Sequence, residues 1–332
     1  MSSPGPSFEA RDPQGSFAQA MAVAIGAGLA SALLFGLSAQ GALLSSILAA
    51  VAPMPIMAAA LGFTHWAGLL AALVGALGLS VASTGLLAIL YFAALAAPAW
   101  HLARLAATPR MGADGALAWR APSELAAWAV GIAVAVALGW IAMVSRGTSG
   151  DFEAAIDAMA QKLAPTLDGL IAGADLPKGV TTVDLARAML RAMPVAAAGS
   201  SVTMMLANLW LAGRVTRQSG LLERPWPDTP RDFAMPRPAL GLVAGGMVLG
   251  FLDGLPGQFG WIVAAASFMG FALQGLAAIH FLTRDWPQRR TALFALYVTL
   301  AVIPWAAFFV GLFGLVDSLF GLRARKSSPS SH

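Results

Sequence analysis

The chain has 332 residues, of which 58% are hydrophobic and only 11% charged, against about 45–50% apolar and about 25% charged in an ordinary soluble domain. Its mean hydropathy is +0.74, which excludes a water-soluble fold of this size, and its lack of cysteine excludes disulfides, thiolate metal sites and cysteine nucleophiles. The net charge of +4 does not point to nucleic acid, because the basic residues lie in short loops beside apolar stretches, the positive-inside pattern of membrane proteins.

Residues 1–16, rich in Ser, Pro, Gly and charge, are expected as a disordered tail. A first span is predicted at about 17–38; Ser38-Ala39-Gln40 after it faintly resembles a signal-peptidase site, but Glu9, Arg11 and Asp12 before it favour an uncleaved span. Span 2, about 42–62, contains Pro53 and Pro55. Two prolines that close delete helix hydrogen bonds at membrane depth, either as a plain kink or as a discontinuous helix lining a cavity. Spans 3 and 4 follow at about 66–82 and 84–104, a basic loop at 105–122, and span 5 at about 124–145.

Residues 147–193 are the one sizeable polar insertion. Phe152, Ile156, Met159, Leu163 and Leu167 approximate helical spacing, with Pro165 as a bend, and a second helix is predicted from Thr182, its N-cap, with Leu185, Met189 and Met193 on one face. The insertion is expected to pack over the outer mouth of the bundle. Span 6 runs about 195–213, an Arg-rich loop 214–237, span 7 about 239–252 and span 8 about 259–283. Span 7 carries Gly241, Gly245, Gly246 and Gly250, two overlapping small-xxx-small spacings suited to helix packing. Residues 291–322 are too long for one crossing of a core about 30 Å thick, so they form one long helix kinked at Pro304 or two short ones.

Loops 105–122, 214–237 and 284–290, the segment after 322 and Arg104 together hold every Lys and Arg except Arg11, Arg146, Lys162, Lys178, Arg187 and Arg191. The charge rule makes these segments cytoplasmic, puts the N-terminus inside and the 147–193 insertion outside, and favours a break near Pro304 that returns a short tail, 323–332, to the cytoplasm. The expectation is an all-α polytopic transmembrane helix bundle of about eight to nine spans in a bacterial inner membrane, one domain over 17–322 with an extracytoplasmic amphipathic helical insertion.

Few residues in the spans carry chemistry. Asp317 stands isolated in apolar sequence, where a carboxylate costs about 2.5–3.5 kcal/mol at a helix centre. Nothing at i+3 or i+4 can pair with it, so its partner is on another helix, is a cytoplasmic Arg, or is water. Gln274 sits mid-span and must hydrogen-bond another helix, a ligand or water; Asn208 poses the same question in span 6. His280 lies near a cytoplasmic end, either interfacial or part of a proton relay. These four, Asn208, Gln274, His280 and Asp317, are the ligand-binding candidates, against a bland reading as helix glue and interfacial residues. No catalytic residue, cofactor or metal is implied, and the chain is read as a non-enzyme.

Gln274-Gly275-Leu276-Ala277 with His280, then Leu315-Val316-Asp317-Ser318-Leu319-Phe320-Gly321-Leu322-Arg323, together with Pro53-Met54-Pro55 followed by Gly62, resemble the closing and opening patterns of a bacterial family of membrane proteins, domain of unknown function 2232, the YybS-like proteins. Gly321 stands where that family often has an acidic residue. The resemblance covers most of the membrane region. It implies no established activity, only a grouping with small-molecule transporters that include the substrate-binding subunits of energy-coupling-factor systems. Two functions follow as expectations. One is binding or transport of a small molecule. The other is a non-catalytic scaffold or assembly factor, whose loop 214–237 meets anionic lipid headgroups or a membrane or cytoplasmic protein partner.

Overall fold

A computed structural model of the chain describes residues 13–38, 43–112, 115–172 and 177–327. Most of the expected N-terminal tail, Ala39 and Gln40 of the peptidase-like segment, and residues 328–332 lie outside the described residues. The fold is all-α and polytopic. Among the described residues, seven helical segments are long and apolar enough to cross a membrane, and Pro238–Gly250 and Ala306–Phe320 are shorter apolar helices. The chain forms two compact units, residues 1–120 with 207–226, and residues 121–206 with 227–332.

The first unit holds α1 (Pro13–Ser38), α2 (Leu43–Val51), α3 (Pro53–Gly62), α4 (His65–Ala82), α5 (Gly85–Tyr91), a π-helical turn (Phe92–Ala96) and α6 (Ala97–Ala107). Thr64 and Thr84 cap α4 and α5 by accepting from the N–H groups of Ala67 and Leu87, so the short turns between spans are written in the sequence. α1 and α4 cross at Gly28 and Gly75, where a Cβ on Gly28 would strike the Ala71 carbonyl oxygen. The loop after α6 carries a two-stranded antiparallel hairpin, β1 (Arg110–Met111) with β2 (Leu117–Ala118), which the all-helical reading did not include. At Pro53 the chain keeps helical dihedrals through Ala52 (φ −53°, ψ −33°), so the prolines interrupt the ladder of hydrogen bonds within one crossing, Ser45–Gly62.

The second unit holds α7 (Pro122–Val144), a 3₁₀ turn (Ser145–Thr148) and α8 (Phe152–Leu170), capped by Asp151. Next comes α9 (Thr182–Gln218), 37 residues long, which passes into the first unit at Ala207. Three expectations change here. The second insertion helix and span 6 are one continuous helix, because Pro194 holds a helical φ and removes a single N–H. Thr181, one residue earlier than expected, is its cap: its hydroxyl accepts from the Asp184 N–H while the Asp184 carboxylate accepts from the Thr181 N–H, a reciprocal capping box. The buried face at this end is Ala186, Leu190, Pro194 and Ala198, while Met189 and Met193 are exposed, because small side chains allow the closer approach.

The unit continues with α10 (Thr229–Asp232), α11 (Pro238–Gly250), α12 (Gly254–Leu282), α13 (Arg289–Val302), α14 (Ala306–Phe320) and α15 (Leu322–Ser327). The 291–322 stretch is thus two helices. Pro304 drives Ile303 out of the helical region, to φ −124° and ψ 81°. Of the two small-xxx-small spacings in α11, Gly246 and Gly250 pack on Gly260, Trp261 and Ala264 of α12, while Gly241 and Gly245 face open space. α12 is the axis of the unit, in contact with α7, α8, α10, α11, α14 and α15. At its crossing with α14 a Cβ on Gly275 would strike the Val310 carbonyl oxygen, and one on Gly314 that of Phe271.

Candidate functional site

The second unit buries a charged cluster between α12 and the end of α14. Asp317, 4% exposed, lies three residues before the end of α14, and Gln274, 1% exposed, faces it from α12. The Gln274 side-chain amide donates to Asp317 Oδ2 at 2.8 Å, and its carbonyl oxygen accepts from the Met235 N–H at 2.7 Å. Gly321 then takes a left-handed conformation (φ 62°) and ends α14. That reversal brings Arg323, six residues beyond Asp317, back onto it: Arg323 Nε and Nη2 donate to Asp317 Oδ2 at 3.0 and 2.7 Å. The guanidinium, on a residue 9% exposed, also donates through Nη1 to the carbonyls of Pro230, Arg231 and Phe233 at 3.1, 3.1 and 2.8 Å. The Met235 side chain seats on Gly270, where a Cβ would come 2.5 Å from its sulfur.

A carboxylate this buried is tolerated only when paired and hydrogen-bonded, and this one is both. The cluster turns its hydrogen-bonding capacity inward and fastens the 228–237 segment and the start of α15 to α12 and α14. Two exposed ion pairs repeat the pattern beside it, Arg284 with Asp228 and Lys326 with Asp285. His280 stands apart: its Nε2 shares a 2.8 Å hydrogen bond with the hydroxyl of Tyr297. Among the described residues no three His, Asp or Glu side chains converge, and none is assigned a metal.

Asn208 belongs to the first unit and meets the proline interruption. Its side-chain amide donates to the Ala50 carbonyl at 2.6 Å, and Ser31 Oγ donates to the Ala52 carbonyl at 2.6 Å. The Tyr91 hydroxyl in turn donates to Ser31 Oγ at 2.7 Å, with the ring fitted against Gly75. Side-chain donors thus reach the Ala50 and Ala52 carbonyls in the same stretch where Pro53 and Pro55 remove two backbone N–H groups. Ser31 was not singled out in the sequence, and Tyr91, which reads there as an interface marker near the end of span 4, is instead fully buried. A lone serine or an interfacial-looking tyrosine carries no spacing signal for such a contact.

The first unit also contains a cavity of about 870 Å³. Phe17 and Met21 of α1, Phe63 and Thr64 of the α3–α4 turn, and Trp66 and Leu70 of α4 form much of its wall. Gly220 to Glu223, just after α9, complete it. None of Asn208, Gln274, His280 and Asp317 lines it. α9 ends in a Schellman turn: Gly220 (φ 67°) donates to the Arg217 carbonyl and Leu221 to that of Thr216. Gly62 leaves room for that turn, since a Cβ there would lie 3.1 Å from Thr216 Cγ2 and 3.4 Å from Leu221 Cβ. Arg224, expected among the arginines free to meet a partner, is instead 6% exposed. Its guanidinium donates to the carbonyls of Ala106 at 3.1 Å and Arg120 at 3.2 Å, between the rings of Trp119 and Trp226. Arg120 donates to the Leu105 and Thr108 carbonyls, so two cations serve the negative end of α6.

A family model described as a predicted membrane protein (DUF2232) matches residues 29–318, a range that takes in all four sequence candidates and stops just short of Arg323. Comparison with curated proteins and with solved structures returned no match.

Proposed function

We propose that this chain, which belongs to the DUF2232 family of predicted membrane proteins, is a non-enzymatic inner-membrane protein that binds a small molecule in the cavity of its first unit. The observation that carries the reading is the cavity itself. Its volume of about 870 Å³ falls in the range of about 300–1,000 Å³ typical of ligand pockets, and its wall is mostly apolar and aromatic with few polar groups, as such pockets are. The reading leaves Asn208, Gln274 and Asp317 to hold the fold, because their polar atoms are committed to protein partners. It includes the finer kinship to YybS-like proteins and to substrate-binding subunits of energy-coupling-factor systems, and a cytoplasmic N-terminus.

The test is a thermal-shift screen of the detergent-purified protein against vitamins, nucleosides and other metabolites, with two variants alongside. A stabilising ligand should lose its effect in Trp66→Ala and keep it in Gln274→Ala. The reverse pattern would move the site to the charged cluster of the second unit. A folded protein that responds to nothing would favour the scaffold reading. The exposed Arg217, Arg231 and Arg237 support that alternative as contacts for anionic headgroups, at about 1 kcal/mol each.

A further inference from the structure

We propose that the ligand of this cavity is an organic cation with an apolar body of aromatic size, its ammonium group held at the rim by Glu223. The proposal rests on the cavity being the binding site and adds the charge of what it takes. Glu223 is the single ionisable residue among those lining the cavity. It is exposed, and it makes no hydrogen bond or ion pair with any of the described residues. That is unexpected on a segment carrying Arg214, Arg217 and Arg224. The adjacent Arg224 does not pair with it, because that guanidinium is directed to the Ala106 and Arg120 carbonyls between Trp119 and Trp226.

The same contacts fix the backbone on either side of Glu223. The Schellman turn at Gly220 sets the path out of α9 on one side, and the buried Arg224 anchors the chain on the other, so the backbone of Glu223 is set at the cavity while its carboxylate stays in solvent. Phe63 and the largely exposed Trp66 also line the cavity, and aromatic rings attract a cation as well as apolar surface. A carboxylate and aromatic side chains lining one cavity favour a cation over a neutral molecule of the same shape, and both over an anion. Because Glu223 is exposed, the preference is modest, as for a solvated ion pair.

The experiment uses the full chain in nanodiscs and three probes that share one ring system: tryptamine (cation), tryptophol (neutral) and indole-3-propionate (anion), titrated calorimetrically. Tryptamine should bind roughly fivefold more tightly than tryptophol, with indole-3-propionate weakest. Glu223→Gln should bring tryptamine to the affinity of tryptophol and leave tryptophol unchanged, with the thermal stability of the protein retained. Glu223→Lys should reverse the order of the two ions. Equal binding of tryptamine and tryptophol, unaffected by Glu223→Gln but weakened by Trp66→Ala, would overturn the charge assignment and leave the cavity reading standing. No binding by any probe would overturn both.

Discussion

Asp317 and Arg323 show what a single polar residue in an apolar chain commits the rest of the molecule to. Removing one partner of a buried pair leaves an uncompensated charge, at a cost of about 3–5 kcal/mol, whereas replacing both with apolar residues of similar volume is often nearly neutral. Asp317→Leu and Arg323→Leu should each lower stability by that order in denaturant unfolding of the micellar protein. The double variant should lose less than the sum, with a coupling of at least about 1 kcal/mol; strict additivity would mean the pair is not energetically linked. Asp317 and Gln274 were legible as residues in need of partners, since each is polar amid apolar neighbours. That they meet was not, because 43 residues separate them. Arg323 had been counted as one more loop charge. Its return to Asp317 depends on Gly321 turning left-handed, and neither i+3 nor i+4 spacing reveals an i+6 pair across a helix end.

Elements were read well where local chemistry decides them and less well where packing does. Pro304 ends a helix because Ile303 leaves helical dihedrals, and Pro194 does not end one; the sequence presents the same residue type at both places. The glycines of α11 divide in the same way, since spacing allows both of its stripes and the position of α12 selects one. Gly314→Val, at a crossing where even a Cβ meets the Phe271 carbonyl oxygen, should lower stability by about 1–3 kcal/mol or prevent folding. Gly241→Ala, facing open space, should stay within about 0.5 kcal/mol of wild type. Melting curves of the two variants side by side check this, and comparable losses would refute the crossing. The cavity was not legible at all. Its wall comes from α1, the end of α3 and the turn after it, α4 and the exit of α9, and Gly62 alone among the lining residues belongs to the family pattern seen in the sequence.

At the scale of the whole molecule, composition alone settled a membrane-embedded helical protein, and the charge distribution supplied an orientation. A chain without cysteine suits a direct check, since each introduced thiol reports alone. A membrane-impermeant maleimide should label Ser149→Cys in intact spheroplasts, and label Arg217→Cys or Arg237→Cys only after permeabilisation. Labelling of Arg217→Cys from outside would reverse the orientation. Within the first unit, the start of α1, the α3–α4 turn and the exit of α9, which line one cavity, are the segments that the charge rule expects on the cytoplasmic side.

The i+6 pair also has a consequence in time. Translation delivers the four partners in order, Met235, Gln274, Asp317 and then Arg323. Asp317 leaves the ribosome before the cation that makes its burial tolerable, so until Arg323 follows, the carboxylate must stay in water or take up a proton. The helix that carries Asp317, α14, can therefore settle only after Arg323 has emerged. A nascent chain arrested between these two residues would present quality-control proteases with an unfinished membrane helix.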